Sequence, residues 1–170
     1  MRLGRSAALL SVWCAACASP GAAVVEEGFG DSARQLQWSY GRSAGDRPTL
    51  SAAVAGISQP ELSLICTNAG RLDVTAPGFQ IAKPKGPGFP KSFVVEGGTV
   101  RLTTTPIWET AAGHIAPQGA FKVTAPQMRD LLAGDGLRAA IPAGEDGDLE
   151  SRFPAVPPPL AQSFLADCLG

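Results

Sequence analysis

The amino-acid sequence predicts a mainly β protein: an antiparallel sandwich or barrel of about eight short strands, with two short helices, one of them C-terminal. Three observations carry this. Apolar and polar residues alternate in one short run after another beyond residue 34, the period of a half-buried strand. Gly, Pro, Asn and Asp separate the runs, and 20 Gly with 15 Pro in 170 residues is more punctuation than a helical bundle tolerates. Charged residues make up 17% and hydrophobic residues 45%, enough apolar material for a core and too much for global disorder.

Taken in order, Leu36, Trp38 and Tyr40 share one strand face, and Leu50, Ala52 and Val54 the next. Trp38 sits between apolar neighbours and is expected to anchor the core. Leu62, Leu64 and Cys66 follow, then Leu72 with Val74, Phe93 with Val95, and Val100 with Leu102. Phe121 with Val123, and Leu137, Ala139 and Ile141, complete the set. Each run offers one apolar and one polar face, as in an antiparallel sheet with one wet side. Thr124 followed by Gln127 is a capping box, with Pro126 in the first turn. Met128, Leu131 and Leu132 then form a helical face that Gly134 ends. A second helix is expected over about Pro159 to Leu169, with Leu160, Phe164 and Cys168 on one side. His114 to Pro117 reads as a loop between strands, and residues 143–151 as an acidic loop.

Residues 1–18 have the form of a secretory signal. Arg2 and Arg5 precede a short apolar run, and Ala16 and Ala18 are the small residues at −3 and −1; a second acceptable cut follows Ala23. The apolar run is too short to span a bilayer, which takes about 20 residues. Cys17 is a possible site of lipid attachment. The expected organisation is a signal at 1–18, a flexible segment at 19–33 and a single β-rich domain at 34–170. Cleavage after Ala18 leaves Cys66 and Cys168, and two cysteines in an oxidising compartment pair most simply with each other.

Composition excludes some functions and favours few. A net charge of −1 without a basic block offers nothing to nucleic acid. One histidine leaves little for a metal site, the acidic residues near 145–150 lack the order of a calcium loop, and no cofactor motif occurs. Gly41-Arg-Ser43-Ala-Gly45 matches G-x-S-x-G, the nucleophile elbow. An elbow feeds a helix, however, and Pro48 stands where that helix needs its donors, so a hairpin turn is the better reading. His114 is the sole imidazole, with Glu109 five residues before it, and Ser43 with His114 would be the pair of a serine hydrolase. The most unusual composition is Lys83-Pro-Lys85-Gly-Pro-Gly-Phe89-Pro-Lys91. Its prolines bar a strand interior. Its lysines form a local positive patch, and Phe89 is a candidate apolar anchor, so this loop is the expected partner-contact surface.

Trp38, Ser43 and Asp46, then Leu62-Ser-Leu-Ile-Cys66 with Leu72-Asp-Val74, resemble the opening of VasI-type periplasmic proteins associated with type VI secretion. Phe164-Leu-Ala-Asp-Cys168 resembles their closing helix. The resemblance implies a β-rich periplasmic accessory protein without established catalytic residues, and of its positions Cys66 and Cys168 carry over. The expectation from the whole sequence is an exported, non-enzymatic binding or assembly accessory whose partner is another envelope protein. A small exported serine hydrolase and a lipid-anchored structural component are the alternatives.

Overall fold

Alternation in the first two runs produces a hairpin: β1 (Leu36–Ser43) and β2 (Arg47–Val54) pair antiparallel with Ser43 opposite Arg47. Its turn needs left-handed backbone at Gly45 (φ 79°) and Asp46 (φ 58°), which Gly and Asp tolerate best. The second glycine of G-x-S-x-G therefore serves a turn and opens no helix. The computed structural model describes residues 35–79, 81–82, 90–111, 114–142 and 149–170. The signal segment, the 19–33 segment and Cys17 lie outside these, as do Lys83, Lys85, Phe89 and residues 143–148 of the expected acidic loop.

The chain continues through β3 (Leu62–Asn68), β4 (Arg71–Thr75), β5 (Ile81–Ala82), β6 (Phe93–Gly97), β7 (Val100–Thr104), β8 (Ile107–Ala111) and β9 (His114–Lys122). Helix α1 (Ala125–Ala133), β10 (Gly136–Ile141), β11 (Leu149–Pro154) and helix α2 (Pro158–Leu169) follow. The larger sheet runs β1-β2-β3-β4-β9-β5, with β8 also on β9, and the smaller runs β11-β10-β6-β7. All described pairings are antiparallel. The protein is mainly β, with two sheets and two helices.

Each of the eight predicted runs is a strand, and β5, β8 and β11 add to them. Two expectations are corrected. His114 to Pro117, read as a loop, belongs to β9, where backbone pairing with β8 overrides the weak local pattern. Residues 149–151, read as the end of an acidic loop, begin β11, because Glu150 and Ser151 pair with Ala140 and Ala139 of β10.

The core draws on both sheets and both helices. Leu50, Leu62, Leu64, Val74, Phe93, Val95, Ile141 and Phe164 are fully buried. Burying one such side chain stabilises by roughly 1.5–3 kcal/mol, which is what holds the layers together. Ser63, polar and buried, is satisfied by the Ser51 hydroxyl at 3.0 Å. Gly119 shows how closely the layers meet: a Cβ there would lie 2.7 Å from Thr104 and 2.8 Å from the Phe93 ring.

Helix α1 has the predicted capping box, with Gln127 N–H donating to Thr124 Oγ1 at 3.3 Å and Thr124 N–H to Gln127 Oε1 at 2.9 Å. Met128, Leu131 and Leu132 face inward. Asp130, on the other side, accepts from Thr99 N–H at 3.3 Å and so docks the helix on the β6–β7 turn. Helix α2 buries Ala161, Phe164 and Cys168, while Leu160 is half-buried. Trp38 packs against the core as expected, but from the sheet edge and half-buried. β1 is a terminal strand of its sheet, so its apolar face is covered on one flank only. The Trp38 ring packs 6.4 Å from that of Phe153, and its Nε1 donates to Pro154 O at 2.8 Å. It joins the edges of the two sheets.

Candidate functional site

Cys66 and Cys168 form a disulfide, with Cα atoms 5.7 Å apart across 102 positions of sequence. Alternation in β3 turns Cys66 inward with Leu62 and Leu64, and helical spacing places Cys168 one turn beyond Phe164. Both cysteines are buried, and Met128 Sδ lies 3.5 Å from Cys168 Sγ. The bond thus fixes α2 to β3 against the inner face of α1.

The structure does not bring Ser43 and His114 together. Ser43 ends β1, where its Oγ donates to Arg47 O at 3.5 Å. His114 begins β9, opposite Ala111 of β8 and Ala82 of β5. Strands β1 and β9 are separated by β2, β3 and β4, which is four spacings or about 19 Å of sheet. Of the predicted contact loop, Lys91 is described and exposed.

Two polar clusters are built from residues no motif had marked. At the end of α2, Asp167 accepts from the Tyr40 hydroxyl at 2.5 Å and pairs with Arg42, which also reaches Asp46 at 3.2 Å. A carboxylate near a helix C-terminus opposes the helix dipole, and these two donors offset that. The Tyr40 hydrogen bond, then the Arg42 charge, hold the Asp167 carboxyl below its usual range. Partial burial, then the hydrogen bond to Asp167, push the Tyr40 phenol up. The cluster ties β1 to α2.

The second cluster crosses the smaller sheet. Arg101 of β7 pairs with Glu96 of β6, which accepts from Arg138 of β10 at 2.8 Å. Arg138 also donates to Glu150 of β11 at 2.8 and 2.5 Å, and Arg152 approaches the same carboxylate at 3.6 Å. Strand alternation produces this ladder: Val95 and Ala139 face the core, so Glu96 and Arg138 face outward, opposite each other in register. Hydrogen bonds from Arg138 hold Glu150 below the usual carboxylate range, and those to Glu150 and Glu96 raise Arg138. The two carboxylates, Glu96 and Glu150, are thus shared among three arginines along the ladder.

No protein family, curated protein or solved structure matches this chain.

Two shallow hollows stand out among the described residues. One, of about 510 Å³, lies beside Ile57, Pro60, Glu61 and Pro77, with the Ile57 side chain 54% exposed at its rim. The other, of about 380 Å³, lies where β4 and β9 meet the first turn of α1 and includes Arg71, Lys122 and Gln127. Sequence reasoning missed this second grouping because Arg71 and Lys122 lie in separate strand patterns. Only the register of β4 on β9, which sets Arg71 opposite Lys122, unites them. Among the described residues no three His, Cys, Asp or Glu side chains gather as a metal site, and no helix is long and apolar enough to cross a membrane.

Proposed function

We propose that this protein is an exported, non-enzymatic accessory of the bacterial envelope that binds or helps assemble another envelope protein. The observation that carries the reading is the buried Cys66–Cys168 disulfide, which joins β3 to the terminal helix. A bond of this kind persists in oxidising compartments and is rare in the cytosol. The secretory form of residues 1–18 and the likeness to VasI-type proteins support the same compartment. The strand order, with β2, β3 and β4 between Ser43 on β1 and His114 on β9, favours this reading over the serine-hydrolase alternative. The partner surface we assign to the loop from Lys83 to Lys91, for its lysines and for Phe89. The test is crosslinking in intact cells carrying a tagged chain, followed by fractionation and identification of what co-purifies. Recovery from the periplasm or outer surface with a reproducible envelope partner is the expected result. Recovery from the cytosol with free thiols would overturn the reading.

A further inference from the structure

We propose that the hollow between the β4–β9 strand ends and the first turn of α1 binds a single oxyanion group, a phosphate or carboxylate head. Arg71 and Lys122 are direct Cα partners on neighbouring antiparallel strands, so their side chains leave the same face. Like charges placed opposite each other weaken a sheet, and the sequence accepts that cost here. Several other strand arginines are met by carboxylates, Arg42 by Asp46 and Asp167, Arg101 by Glu96, Arg138 by Glu96 and Glu150, and Arg152 by Glu150, whereas Arg47 donates to the Ala44 carbonyl. Among the described residues Arg71 is met by a carboxylate only at Nε, by Asp73 at 3.1 Å, which leaves its terminal nitrogens as the edge that can donate. Lys122 has no carboxylate partner among the described residues.

The remaining wall repeats the theme. Asn68, Val123, Thr124 and Gln127 line the hollow, and no carboxylate does. Gln127 Oε1 is occupied by Thr124 N–H and Oγ1, at 2.9 and 3.0 Å, so its amide nitrogen is the end left to donate. The helix terminus itself adds little, because Thr124 already takes the Gln127 N–H and Pro126 has none. The two cations carry the site. A guanidinium edge accepts a phosphate or carboxylate in a fork, and a lysine on the next strand supplies a point charge to the same group. At about 380 Å³ the hollow is the size of a small-ligand pocket and open enough for the end of a larger molecule.

The proposal is independent of compartment and of the contact loop, and its test uses the purified chain alone. Inorganic phosphate is titrated at constant ionic strength while the backbone amides of Gly70, Arg71 and Thr124 are followed by NMR. A short neutral peptide with a free C-terminal carboxylate, and its C-terminal amide, are titrated in parallel. Saturable shifts at these amides with phosphate assign a phosphate head. Saturable shifts with the acid peptide and not its amide assign a chain terminus. Either should weaken about tenfold or more in Lys122→Gln, the equivalent of one charge-assisted hydrogen bond. Lys122→Gln should itself melt no lower than the native protein, since it relieves a like-charge pair. Arg71→Gln gives a second, independent loss. Shifts that fail to saturate with every probe, or that persist unchanged in both variants, would overturn the proposal.

Discussion

Loss of the Cys66–Cys168 bond should remove a large part of the stability of this fold. Its partners are 102 residues apart, and closing a loop of about 100 residues lowers denatured-state entropy by the equivalent of about 4.7 kcal/mol. A compact denatured state reduces that figure, so the expected loss is about 3–5 kcal/mol. Domains of this size have total stabilities of only about 5–15 kcal/mol. With a urea slope of about 2 kcal/mol per molar, the unfolding midpoint should fall by about 2 M. The assay is urea unfolding of the chain from Ser19 onward, followed by tryptophan fluorescence, oxidised and then reduced. Cys66→Ala/Cys168→Ala serves as a third sample, because it lacks the bond under both conditions. It should match reduced protein apart from a smaller loss where Met128 packs on Cys168. Coincident midpoints for oxidised and reduced protein would refute the reasoning, as would two free thiols on denatured, unreduced protein.

Three further outcomes are expected. Trp38→Phe keeps the contact with Phe153 but loses the hydrogen bond to Pro154, and should cost about 1 kcal/mol by denaturant unfolding; Trp38→Ala should cost about 3 kcal/mol, the low end for a large aromatic because the site is half-open. Asp167 and Glu150 titrate below their unfolded values, so their stabilisation is present above about pH 4 and is lost as pH falls through the folded values. Tyr40 is raised, so its contribution is present below about pH 10 and is lost at higher pH. Melting temperature against pH should therefore decline at both ends, with a flatter acid limb in Asp167→Asn and a flatter alkaline limb in Tyr40→Phe; limbs identical to native would count against these assignments. Replacing Lys83, Lys85 and Lys91 with Ser should leave the melting temperature unchanged and abolish co-purification of an envelope partner, most visibly at low ionic strength; an unchanged partner set would make the loop a connector.

Local chemistry determined much of this protein before any tertiary contact is considered. Period-two alternation is a property of the strand backbone, so Leu36 to Tyr40, Leu62 to Cys66 and Leu137 to Ile141 announce their faces in sequence. The Thr124–Gln127 box and the Phe164–Cys168 spacing likewise act within one or two turns. Once Cys66 and the last helix both had inward faces, the disulfide was legible as well. What tertiary structure alone decided depends on register between distant segments. Pairing with β10 and β8 made strands of Leu149–Pro154 and of His114–Pro117, whose own patterns were weak. Placement of β1 at the end of its sheet left Trp38 half-open. The Arg101–Glu96–Arg138–Glu150 ladder and the Arg71–Lys122 pair arise from cross-strand neighbours 5 to 51 positions apart. A side chain's face is written in its own strand, but its neighbour across the sheet is chosen by how the strands pack, and so the site became visible only in three dimensions.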